Sequence, residues 1–106
     1  MNNNPNKIIL YGSPMCPMVS PVRAALSRSS AEFEYVDIFR DSMGRQAVRQ
    51  INQGFESVPT LVFPDGSTLT EPGPGQVTRK LQAMGYEVTP PRWQQVISKF
   101  VAHLRE

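Results

Sequence analysis

The sequence predicts an α/β domain in the order β-α-β-α-β-β-α, with a four-stranded mixed sheet and an extra helix at its C-terminal end. Three observations lead there. A β-branched and aromatic run at residues 8–11 is followed, after a proline-rich turn at 13–17, by a helical pattern, a second strand-like run follows at 32–38, and Pro64-Asp65-Gly66 separates two short apolar runs. A β-α-β unit implies parallel strands with a right-handed crossover, and a Pro-Asp-Gly turn between apolar runs implies a hairpin.

The run Ile8-Ile9-Leu10-Tyr11, flanked by Lys7 and Gly12, has the continuity of a strand buried on both faces. After Ser13-Pro14-Met15-Cys16-Pro17, the residues Val22, Ala25 and Leu26 recur at helical spacing, up to about Ser29. Pro21 leaves two starts open for this helix. Begun at Pro17, it loses a backbone bond at Pro21. Begun late, it uses Ser20 as N-cap and Pro21 as first residue, which moves Cys16 a turn away from the helix dipole. Residues 32–38 alternate as a strand does, and Ser42 to Gln53 carries Met43, Ala47, Val48 and Ile51 on one helical face, with Gly54 as its stop. Residues 57–63 and 67–70 flank the hairpin turn. A third helix runs from Pro74 or Gly75 to about Met84, marked by Val77 and Leu81 and closed by Gly85.

At 106 residues the chain has the size of one domain, and 40% hydrophobic with 19% charged residues excludes the composition of a disordered chain. The net charge of +2 is spread over scattered basic residues, which argues against a nucleic-acid partner. Neither a charged-then-apolar leader nor an apolar run of about 20 residues is present, so no membrane association and a cytoplasmic location are expected. Residues 1–6 are expected to form a disordered arm and residues 7–85 the domain. Beyond Pro90-Pro91, residues 90–106 form an amphipathic helix whose stripe of Trp93, Val96, Ile97, Phe100, Val101 and Leu104 packs on the domain or on a partner, a second copy included.

Cys16 is the one cysteine, so an intramolecular disulfide is impossible and a second thiol has to come from outside. No metal site is expected, since structural zinc takes four side-chain ligands and His103 has no partner at ligand spacing and reads as a surface residue. The position of Cys16 matters more than its number. It falls between the first strand and the first helix, where unpaired backbone N–H groups and the helix dipole favour a thiolate, the attacking form of the group.

The segment Leu10-Tyr11-Gly12-Ser13-Pro14-Met15-Cys16-Pro17, followed by Ser57-Val58-Pro59-Thr60-Leu61-Val62-Phe63-Pro64-Asp65-Gly66, resembles the glutaredoxins, particularly the short bacterial glutaredoxin-like and mycoredoxin-like proteins, over about residues 7–85. The resemblance implies a thioredoxin-like fold and a thiol–disulfide oxidoreductase with Cys16 as its catalytic residue. It also implies that Pro59 is cis and faces the thiol, and that Val58, Pro59 and Thr60 hold the backbone of an extended thiol substrate. Glutathione or a similar small thiol is the implied co-substrate, mixed-disulfide proteins are the implied partners, and no bound cofactor is expected.

Around the thiol, Met15, Pro17 and Met18 are candidate substrate contacts, the two methionines supplying an adaptable apolar rim or else packing in the core. Arg23 reads as a solvated helix charge. Val19 stands where dithiol members of the family carry a second cysteine, so turnover is expected to be monothiol. The Glu71-Pro72-Gly73-Pro74-Gly75 turn replaces the family's glycine-rich glutathione-binding turn, and Glu71 brings a negative charge to the substrate side. Two other readings stand beside the enzyme. One is a thioredoxin-fold binding or adaptor module. The weaker one is an iron–sulfur cluster carrier, since Cys16-Pro17-Met18-Val19 is not the Cys-Gly-Phe-Ser motif of those glutaredoxins.

Overall fold

The computed structural model describes residues 6–104, so residues 1–5 of the expected arm lie outside the described residues. In chain order the elements are β1 (Ile8–Gly12), α1 (Val19–Ser27), β2 (Phe33–Asp37), α2 (Ser42–Ile51), β3 (Thr60–Val62), β4 (Thr68–Thr70), α3 (Pro74–Ala83) and α4 (Arg92–Leu104). They give one four-stranded sheet in the order β2-β1-β3-β4. β1 runs parallel to β2 and antiparallel to β3, and the β3–β4 hairpin closes the sheet. This is the mixed sheet expected from the sequence.

Alternation along the central strand sets the layers. Ile8 and Leu10 of β1 point into a core shared with Val22, Ala25 and Leu26 of α1, Leu61 and Phe63 of the hairpin, and Val77 and Leu81 of α3. Each of the larger of these side chains contributes about 1.5–3 kcal/mol by burial. Tyr11 and Val36 point to the opposite face, where α2 approaches so closely that a Cβ on Gly44 would lie 2.7 Å from Val36. The buried stripe of α2 is accordingly Gly44 and Val48, while Met43, expected on that face, is exposed.

The helix boundaries follow from capping. Asp41 caps α2, its carboxylate accepting the Gly44 N–H at 3.0 Å. α3 ends in a Schellman motif, with Tyr86 N–H donating to the Leu81 carbonyl and Gly85 N–H to that of Gln82, and Gly85 at φ 93° supplies the left-handed residue. α1 takes neither of the two expected starts. It begins at Val19 with Met18 as N-cap, and Pro21 is its third residue. The first four N–H groups of a helix have no intrahelical acceptor, so the N–H that Pro21 lacks removes no bond. The Val19 N–H donates to the Cys16 carbonyl at 3.3 Å, which continues the helical turn back to the cysteine.

The folded unit extends past residue 85. Ser29 and Val88 form a β-bridge, Ser30 N–H donates to Glu87 and Thr89 N–H to Arg28, and Tyr86 and Val88 pack on the core. α4 behaves differently from the packed tail that its stripe suggested. None of its residues is buried, and Trp93, Ile97 and Phe100 are 66%, 53% and 62% exposed. Among the described residues no helix is long and apolar enough to cross a membrane.

Candidate active site

Three segments meet at the edge of the sheet where β1 ends. The first is the turn Ser13–Cys16, in which Cys16 N–H donates to the Ser13 carbonyl at 3.1 Å and the Met15 N–H to Ser13 Oγ at 3.1 Å. Ser13 is buried, so this turn is anchored and the half-buried Cys16 is held at its end.

The second segment leads into β3. The Val58–Pro59 peptide bond is cis, and the Cys16 Sγ lies 3.5 Å from the Val58 carbonyl oxygen, to which the thiol donates. Among the described residues no group accepts the Val58 N–H. Pro59 is fully buried, and its carbonyl accepts the Glu71 N–H at 2.7 Å. Glu71 therefore sits beside the proline through its backbone, with its side chain in water and its φ at 50°, a left-handed conformation that costs a non-glycine residue about 1–2 kcal/mol.

Behind this loop is a buried polar network that the sequence reading missed. Asn52 Nδ2 donates to the Val48 carbonyl and to Thr60 Oγ1, Asn52 Oδ1 accepts from Thr70 Oγ1 at 2.6 Å, and Thr60 Oγ1 donates to the Ser57 carbonyl at 2.7 Å. Thr60 is fully buried, so its side chain braces the 57–59 loop from inside. From the outer side, Glu56 accepts from Arg45 Nε at 3.0 Å and Arg49 Nε at 2.8 Å, ties that hold its carboxyl below the usual carboxylate range.

The third segment is the end of β2. A cavity of about 250 Å³ opens beside Cys16 and is lined by Ser13, Val19, Arg23, Tyr35 and Asp37. Tyr35 lies between the Gly12 backbone and the Arg23 guanidinium, which stacks 4.3 Å from its ring centre. Burial pushes its phenol up, the Asp37 carboxylate adds to that, Arg23 opposes it, and the Cys16 thiol acts in the raising direction. Arg23 is thus not only a solvated helix charge. Tyr35 and Asp37 share one face of β2, and Asp37 pairs with Gly12 in register. Their position at the C-terminal ends of adjacent parallel strands, where open α/β sheets bind ligands, was the signal that could have found them.

Met15 and Met18 are 82% and 50% exposed. They pack in no core and, like Pro17, are exposed next to Cys16 in the chain. Val19, at the place of a second cysteine, is buried against Gly12. Among the described residues no group of three or more His, Cys, Asp or Glu side chains is arranged to hold a metal ion.

The sequence model of the glutaredoxin family matches residues 8–67, a span that contains both the cysteine turn and the cis-proline. The chain belongs to the glutaredoxin family. It is 32% identical over 74 residues to the "Putative glutaredoxin" of Mycobacterium tuberculosis strain H37Rv, covering 70% of this chain and 88% of that one. It is 25% identical over 79 residues to Mycoredoxin 1 of Corynebacterium glutamicum, covering 74% of this chain and 98% of that one. The crystal structure of the thioredoxin-like protein BC3987 superposes with a TM-score of 0.53 at 27% identity, covering 59% of this chain and 84% of that one. The matched residues 8–67 hold β1, α1, β2, α2 and β3 with the cysteine turn and the cis-proline, while β4, α3 and α4 lie beyond them.

Proposed function

We propose that this glutaredoxin-family protein is a monothiol oxidoreductase that exchanges small-thiol mixed disulfides through Cys16 in the cytoplasm. The observation that carries the reading is the Cys16 sulfur 3.5 Å from the Val58 carbonyl, next to the cis-proline. An extended substrate that pairs with the Val58 N–H and C=O as an added strand brings its disulfide to the sulfur. Ionisation of Cys16 removes the proton that bonds the Val58 carbonyl, which leaves that carbonyl for the substrate.

The Cys16 thiolate attacks the small-thiol sulfur of the mixed disulfide. The protein substrate leaves as a thiolate and takes up a proton, and a disulfide between Cys16 and the small thiol remains. A second small thiol, as its thiolate, attacks the small-thiol sulfur of that adduct and releases the Cys16 thiolate together with the disulfide of two small thiols. The net reaction converts the mixed disulfide and one free small thiol into the protein thiol and the disulfide of two small thiols. With Val19 in place of a second cysteine, no intramolecular resolving step competes.

Glutathione or a thiol of similar size is the co-substrate in this reading. The cavity beside Cys16 offers its body a guanidinium, a carboxylate and a phenol, while Met15, Pro17 and Met18 form the rim on the solvent side. Glu71 adds a negative charge near the Val58–Pro59 edge. The test is reduction of a glutathionylated peptide by free glutathione, with the wild-type protein and Cys16→Ser compared. The substituted protein is expected to give no rate above background, and equal rates in the two would remove the reading.

A further inference from the structure

Six side chains of α4, Trp93, Val96, Ile97, Phe100, Val101 and Leu104, stand in water, with exposures from 39% at Val101 to 68% at Leu104. An aromatic side chain carries about 150–250 Å² of surface, so at these exposures the six leave on the order of 600 Å² of apolar area uncovered. That equals the largest patch of a typical monomer, about 300–600 Å². We propose that this face pairs with the same face of a second copy, the two α4 helices lying antiparallel.

The seam spacing supports a helix as the occupant. Residues 93, 97, 100 and 104 are separated by four, three and four positions, the alternation of a coiled-coil seam, and Val96 and Val101 flank it. Two such faces together bury about 1,200 Å², the lower end of the range for specific interfaces. The stripe also continues into a groove of about 490 Å³ between α1, α3 and the start of α4, lined in part by Pro21, Ala24, Pro74, Pro91 and Trp93. In an antiparallel pair the end of the partner's helix reaches that groove.

Size and charge select the antiparallel direction. It sets Trp93 against the partner's Leu104 and Ile97 against the partner's Phe100, large beside smaller, whereas parallel helices stack Trp93 on the partner's Trp93. α4 has no acidic residue among Arg92–Leu104, and its cations Arg92 and Lys99 lie off the seam. Antiparallel packing carries Arg92 to the partner's helix C-terminus, where the dipole favours a cation.

The test is sedimentation equilibrium of the full chain over a hundredfold concentration range, with circular dichroism as the check on folding. The wild type is expected to approach twice the 11.9 kDa of one chain. Ile97→Glu and Phe100→Lys are each expected to keep their helix signal and thiol activity while staying at the mass of one chain. The double variant Ile97→Glu/Phe100→Lys is expected to regain the doubled mass, since antiparallel layers place each glutamate opposite a lysine. A wild type that stays at one-chain mass overturns the proposal. So does a double variant that stays monomeric, single variants that associate unchanged, or a chain that sediments with phosphatidylserine vesicles and remains monomeric without them.

Discussion

The Cys16 sulfur lies 3.5 Å from the carbonyl oxygen of Val58, a residue 42 positions further along the chain. Nothing local joins them. The turn after β1 delivers the thiol, the loop before β3 delivers the carbonyl, and the antiparallel β1–β3 pairing, with Tyr11 opposite Thr60, brings the two together. Each support of that meeting point gives a measurable consequence.

Glu71 carries two separable effects. Glu71→Gln removes the charge but leaves the backbone, and surface charge interactions of about 0.2–1 kcal/mol translate into a rise of about 1.5- to 5-fold in kcat/KM for an anionic thiol. Added salt should shrink the difference, because exposed charges are screened. Glu71→Gly instead relieves the φ of 50° and should raise thermal stability, by up to about 1 kcal/mol after the added freedom of the unfolded chain is subtracted.

Gly12 is a contact point between the sheet and the site. A Cβ there would lie 2.8 Å from Tyr35 Cε2 and 2.8 Å from Val19 Cγ1. Gly12→Ala should therefore cost about 1–3 kcal/mol of unfolding free energy and push Tyr35 or Val19 against the cavity beside Cys16. Urea unfolding checks the first effect. The second appears as a raised KM for the small thiol.

Asn52 is joined to α2, β3 and β4 by hydrogen bonds. Asn52→Ala leaves buried partners unpaired at a cost of about 1–3 kcal/mol, and it loosens the brace behind the 57–59 loop. Denaturant unfolding gives the cost, and slower exchange with a peptide mixed disulfide than with a small alkylating reagent shows that the loop, not the thiol, was disturbed.

Most of the framework was legible in the chain. Apolar continuity at Ile8–Tyr11, alternation at 32–38 and the Pro64-Asp65-Gly66 turn each have a local cause and give the parallel β1–β2 pair and the β3–β4 hairpin, whereas the antiparallel β1–β3 pairing that joins them is a tertiary contact. What escaped depended on tertiary neighbours. Asn52 looks like a helix-end residue until β3 and β4 bring Thr60 and Thr70 to it. Tyr35 and Asp37 look like ordinary strand residues until Gly12 ends beside them. The apolar stripe of α4 was plain in the sequence, but periodicity cannot tell whether a face is covered by its own domain, and here it is not. For α1, counting Pro21 as a lost bond failed because the helix begins late enough for that N–H to be unneeded.

Glu56 makes stability depend on acid. Its carboxyl is held below the ordinary value of 4.5 by the hydrogen bonds from Arg49 and Arg45. A depressed carboxylate contributes stability above its unfolded value and loses it as the pH falls through the folded one. The wild type should therefore melt at a higher temperature than Glu56→Gln near neutral pH, and the gap should close as the pH drops below 4.5. A gap that stays constant would mean that the fork adds nothing by charge.

The central claim is that the fold makes Cys16 a site of exchange with small-thiol disulfides, and intact-protein mass spectrometry tests it most directly. The full chain is mixed with glutathione disulfide, sampled over time in buffer and in denaturing urea, and then treated with free glutathione. The account predicts one glutathione adduct, absent from Cys16→Ser, formed faster in the folded chain than in the unfolded one and released by the free thiol. Adduct formation no faster in the folded chain than in urea would contradict it.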